Sequence, residues 1–145
     1  MSTIETSLTA VSAIDGRYSS YTSVLSEYFS EAALMKKRVF VEIEYLIKLI
    51  FNLHSINNNL KEFTSPYCIK YLKNIYNCFS IDDALLIKEI EKETNHDVKA
   101  IEYFIKKKCM LCEDLDMTKL VPFIHFGLTS NDINSVSYAI LLKDC

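Results

Sequence analysis

The chain has 145 residues, 50% of them hydrophobic and 24% charged, with a formal net charge of -3. That length and apolar content suit one domain with a buried core and exclude a disordered chain, and the mild acidity leaves no basic footprint for nucleic acid. The composition also holds only 2 Gly and 2 Pro, against average usage of about 7% and about 5%. Strand-rich folds need turn residues every ~8–12 positions, and phosphate-cradling loops need several clustered glycines. Neither requirement is met, so the expected class is all-α.

In chain order, residues 1–22 are rich in Ser and Thr, lack helical periodicity and read as an extended N-terminal arm. Met1 to Ala10 is polar and carries Glu5, unlike a signal peptide or an arginine-rich transit sequence. Apolar residues at Leu25, Phe29, Ala32, Met35, Val39, Ile43, Leu46, Ile50 and Leu53 then step by three and four. This spacing predicts a long helix with a restart at Ser30. Asn57, Asn58 and Asn59 form a polar turn, and Pro66 suits a helix start that leads Tyr67, Tyr71 and Ile75 into a second helix.

Three later segments open with a hydroxyl residue followed three positions on by an Asp: Ser80 with Asp83, Thr94 with Asp97, and Thr129 with Asp132. These are Asp variants of the capping box and predict helices over 81–93, 97–108 and 131–143. A shorter helix over 118–126 bends around Pro122. Lys106, Lys107 and Lys108 read as a solvated helix end. No apolar run approaches the ~18 residues of a membrane span. The 5 cysteines have no disulfide-framework spacing and fit reduced thiols in the cytoplasm. Cys109 and Cys112 form a single C-x-x-C without a second pair or a nearby His, so no metal site is expected.

Three places could carry chemistry. Asn95 and His96 lie where a helix start is expected, beside free N–H groups that can receive an anion. The plainer reading is a capping-region histidine. Thr129-Ser130-Asn131-Asp132 is another helix start, with Gly127 nearby allowing close backbone approach and hydroxyls suited to a carboxylate or phosphate. Asp15-Gly16-Arg17-Tyr18 presents one of the two arginines, the other being Arg38, beside an aromatic hydroxyl, although a lone arm arginine is more often a surface ion pair. His54 reads as a helix C-terminal dipole partner, and His125 as a packed polar group with no second metal ligand at helical spacing.

Taken in order, Leu8-Thr-Ala-Val-Ser-Ala-Ile-Asp-Gly-Arg-Tyr18, Glu93-Thr-Asn-His-Asp-Val-Lys-Ala100 and Phe123-Ile-His-Phe-Gly-Leu-Thr-Ser-Asn-Asp-Ile-Asn134 resemble the N-terminal part of the adenylosuccinate lyases of the fumarase/aspartase superfamily. Ala13 stands where that family commonly has proline. The resemblance implies the N-terminal helical domain of that fold over 1–128, with the beginning of the central helical bundle over 129–145. It implies elimination of fumarate from adenylosuccinate to give AMP, and from the succinylated aminoimidazole carboxamide ribotide, with no metal or cofactor. By the same resemblance, Arg17 and Tyr18 bind the phosphate. Asn95, His96 and Asp97 contact substrate, His96 assisting catalysis, and Thr129 and Ser130 hold the succinyl carboxylates.

The family's principal base and acid lie in a Thr-His-Gly-Gln-Pro-Ala-like segment and a Ser-Ser-x-Met-Pro-type loop, neither of which occurs in this sequence. Full enzymes of the family are cytoplasmic homotetramers whose sites draw on three subunits. The chain ends at Cys145 in a helix whose face, Ile133, Val136, Ile140 and Leu141, resembles the start of the bundle. The 145 residues alone are therefore expected to be inactive. The alternative is a non-catalytic helical module that binds nucleotide or supports assembly.

Overall fold

The computed structural model describes residues 8–145, so the first seven residues of the expected arm lie outside the described residues. Among the described residues all regular structure is helical. Helix α1 spans Glu31–Leu53, α2 Pro66–Asn77, α3 Ile81–Thr94, α4 Asp97–Met110 and α5 Ser130–Asp144. Short helical turns at Ser19–Thr22, Ser23–Leu25 and Ser26–Phe29 precede α1. Tighter 3-10 segments occupy Asn58–Thr64 and Met117–Phe123, the second containing Pro122.

Helix α1 begins where Ser30, with ψ 159°, breaks the preceding turn and its hydroxyl accepts from the Ala33 N–H. Met35, Val39, Ile43, Leu46 and Ile50 are buried along one face. Leu25 and Phe29, which the same spacing places on that face, are exposed; the break at Ser30 takes them out of helical phase. Nor are the described residues of the arm extended. The Gly16 N–H donates to Ser12 and the Tyr18 N–H to Ala13, winding these residues into turns, and the Thr22 hydroxyl donates to the Ile14 carbonyl at 2.7 Å.

Pro66 occupies the first turn of α2, capped by Ser65. Asn57 caps the 3-10 segment that Asn58 and Asn59 have joined. At α3 the Ser80 and Asp83 capping box is reciprocal. Lys108 reaches that helix start, its Nζ lying 2.7 Å from Asp83 Oδ1, so the last turn of α4 is tied to the first turn of α3 rather than freely solvated. Helix α1 packs against α2, α4 and α5, and α3 pairs with α4. Ile43, Phe63, Leu72, Ile87, Phe104 and Leu120 join α1 through α4 and the two 3-10 segments in one core. On α5, Ile133 and Leu141 are buried while Val136, Tyr138 and Leu142 are exposed.

Candidate functional site

The connection from α3 to α4 is two residues long. Asn95 ends α3 in the left-handed conformation, with φ 49° and its N–H bonded to the Glu91 carbonyl at 2.8 Å; asparagine accepts that conformation more readily than most side chains. The expected Thr94 and Asp97 capping box does not form. Helix α3 runs on through Thr94, whose hydroxyl donates to the His96 carbonyl, and the cap of α4 is His96 itself. Its Nδ1 accepts from the Lys99 N–H at 3.1 Å. An accepting Nδ1 places the proton of the neutral ring on Nε2, and Nε2 lies 3.4 Å from the Ser130 hydroxyl.

Ser130 is the first residue of α5. Before it, Thr129 donates from its N–H to Asp132 at 2.7 Å and from its hydroxyl at 2.9 Å. These two bonds hold the Asp132 carboxyl below its ordinary range. They also direct the Thr129 proton into the cap, leaving the Thr129 oxygen only as an acceptor and Ser130 as the hydroxyl turned to His96. The loop before α5 is shaped by two left-handed residues, His125 at φ 62° and Gly127 at φ 75°.

A stripe on α1 supports both segments. Arg38, buried at 7% exposure, donates from Nη2 to Asp97 Oδ2 at 2.6 Å and from Nε to Asn134 Oδ1 at 2.8 Å. Burial pushes the Asp97 carboxyl up, but the Val98 N–H and Arg38 outweigh it and leave it below the usual carboxylate range. One turn on, Glu42 is 1% exposed and its Oε1 meets His125 Nδ1 at 2.5 Å. His125 Nε2 in turn faces Glu102 Oε1 at 3.9 Å, and Lys99 donates to the other Glu102 oxygen at 2.8 Å. Burial raises the Glu42 pKa, with His125 opposing it. Tyr45 then donates to the Phe126 carbonyl at 2.8 Å.

These supports were missed from sequence, although one signal for them exists. Arg38 and Glu42 stand three positions after Met35 and Val39, inside the apolar stripe of α1, where a charge requires a partner. His125 is a packed polar group, as expected, and its packing partners are carboxylates. His54 caps the end of α1, with Nδ1 2.7 Å from the Phe51 carbonyl.

Arg17 and Tyr18 are exposed, with the guanidinium 5.6 Å from the Tyr18 ring centroid. Ser12 donates its N–H and hydroxyl to Asp15, which builds the turn that presents them. Among the described residues no hydrogen bond or ion pair joins Arg17 or Tyr18 to His96, Thr129 or Ser130. The fold thus brings the second and third sequence motifs into side-chain contact. The five cysteines are free thiols, and burial pushes the pKa of Cys109 up to about 12. Among the described residues no group of His, Cys, Asp and Glu is arranged to hold a metal ion, and no helix is long and apolar enough to cross a membrane.

Two converging helix N-termini, an imidazole N–H and a hydroxyl make a place for a small anion. A family model described as Lyase matches residues 16–145. The chain is 47% identical over 138 residues to an adenylosuccinate lyase of Buchnera aphidicola subsp. Schizaphis graminum, covering 95% of this chain and 29% of that protein. It is 52% identical over 140 residues to the adenylosuccinate lyase of Dictyostelium discoideum, covering 94% and 29%. With that of Escherichia coli strain K12 it shares 47% identity over 137 residues, covering 94% and 29%. The chain spans less than a third of the length of these relatives.

Proposed function

The chain belongs to the Lyase family over residues 16–145, and from that premise we propose that it supplies the N-terminal segment of an adenylosuccinate lyase. The reaction eliminates fumarate from adenylosuccinate to leave AMP, and from the succinylated aminoimidazole carboxamide ribotide of purine synthesis. The observation that carries this reading is the approach of His96 Nε2 to the Ser130 hydroxyl at 3.4 Å, between two helix N-termini. The substrate is polyanionic, and removal of a proton beside a carboxylate builds further negative charge. Fixed N–H dipoles aimed at that charge stabilise it without reorganising.

In this reading Ser130 and the free N–H groups of α5 hold the succinyl carboxylates, and Thr129 joins them by turning its hydroxyl proton from Asp132 to the substrate. His96 donates from Nε2 to orient or polarise the substrate, Asn95 and Asp97 flank it, and Arg17 with Tyr18 takes the phosphate. Elimination also needs a base and an acid. The family's segments for those roles are absent from these 145 residues. Residues 1–128 form the helical domain and 129–145 begin the bundle of a cytoplasmic homotetramer, in which Arg17 can serve a site shared between subunits. No metal or cofactor takes part.

The test is a hybrid in which this chain replaces the matching stretch of the Escherichia coli relative. The hybrid is expected to consume adenylosuccinate, followed by its ultraviolet absorbance, whereas the 145-residue chain alone is expected to leave it intact. A folded hybrid without turnover would overturn the reading.

A further inference from the structure

We propose that Arg38 is a positioning residue, holding the N-termini of α4 and α5 in the register that sets His96 against Ser130. Its catalytic consequence rests on the lyase reading; the clamp rests on geometry alone. The guanidinium bonds Asp97 at 2.6 Å and Asn134 at 2.8 Å. Asp97 follows His96 in the chain, and Asn134 lies one turn beyond Ser130. The planar fork therefore bridges the same two helix ends that meet at the imidazole and the hydroxyl.

Burial makes the arrangement selective. With 7% of its surface exposed, Arg38 has little water to turn to, so rotating either helix end away strands a charged donor in the interior. Lysine would supply the charge without the fixed fork that serves two acceptors. Arg38 also offsets the negative charge of Asp97, which would otherwise repel an anionic ligand at the same helix ends.

In NMR spectra of the 145-residue chain, the His96 ring should show a nuclear Overhauser contact to the Ser130 β protons. In Arg38→Met that contact should vanish while the contacts between the Phe79 and Phe104 rings, 6.0 Å apart, persist and report a folded core. Arg38→Lys, which keeps the charge and the buried stem, should lose most of the contact too, and it decides the matter if the methionine variant unfolds. In the active hybrid, Arg38→Met should lower kcat on the order of a hundredfold, the scale of a ~1 Å misplacement, with a smaller change in KM. Added to His96→Gln, it should cost little more.

A His96 to Ser130 contact retained in the folded variant would overturn the clamp. Loss of the contact with kcat intact would overturn the positioning role and leave the lyase reading standing. An inactive parent hybrid would overturn that reading instead, with the NMR measurement still deciding the clamp.

Discussion

The imidazole of His96 is divided between two tasks, with Nδ1 capping α4 and Nε2 facing Ser130. Substitution can separate them. Asparagine is among the best helix caps, so His96→Asn should retain the thermal stability of the chain while lowering hybrid turnover by about a hundredfold, the lower range for a proton-handling side chain. His96→Ala should lower turnover similarly and cost about 1 kcal/mol of stability as well, the usual loss with a cap. Melting curves beside kinetics check the pair, and full activity in His96→Asn would reduce the residue to its capping task. Glu42 offers a second test by pH. Burial raises its pKa in the folded chain, so the native state holds that proton more tightly than the unfolded state does. Its contribution is fully present below the ordinary carboxylate range and is lost as pH rises through the raised value. Urea midpoints should therefore fall for the wild type relative to Glu42→Gln between acid and neutral pH, and parallel profiles would contradict the assignment.

At the scale of elements, the loop into α5 depends on left-handed backbone. A Cβ on Gly127 would meet the Tyr45 hydroxyl at 3.8 Å, an ordinary contact, so Gly127→Ala should be destabilising through φ 75° rather than through a clash. The expected cost is about 1–2 kcal/mol, and Gly127→Asn should cost less; thermal denaturation ranks the two. Local chemistry of this kind is what made the helices legible: Ser80 and Thr129 mark a start through capping boxes, Ser30 through a hydroxyl that accepts from the Ala33 N–H, and Pro66 through a ring that suits the first turn and needs no N–H partner there. Thr94 misled because its pattern matches a cap while α3 runs one residue further than expected and Asn95 makes the turn. The supports on α1 were not legible for a different reason. Arg38 finds its partners 59 and 96 positions away, and Glu42 finds His125 83 positions away. Spacing along one helix can announce that a buried charge needs a partner, but only the tertiary fold names it.

On the scale of the whole molecule, α5 has two faces with different demands. Ile133 and Leu141 close the core, whereas Val136, Tyr138 and Leu142 are 46%, 48% and 66% exposed. If α5 begins a bundle, as the proposed function requires, the second face becomes interior once the remaining helices and subunits are present. Leu142→Glu separates the two contexts. In the 145-residue chain the side chain meets water, so the substitution should change stability by no more than about 0.5 kcal/mol. In the hybrid it should place a charge in an apolar interface, where an unpaired carboxylate is strongly disfavoured. On the proposed function, the tetramer should then give way to smaller species in sedimentation, and turnover should fall with it because that reading completes each site from neighbouring subunits. A Leu142→Glu hybrid that sediments and turns over like its parent would remove α5 from the bundle. Exchange of the buried Leu141 for Glu should unfold even the isolated chain, the contrast that assigns one face of α5 to this domain and the other to assembly.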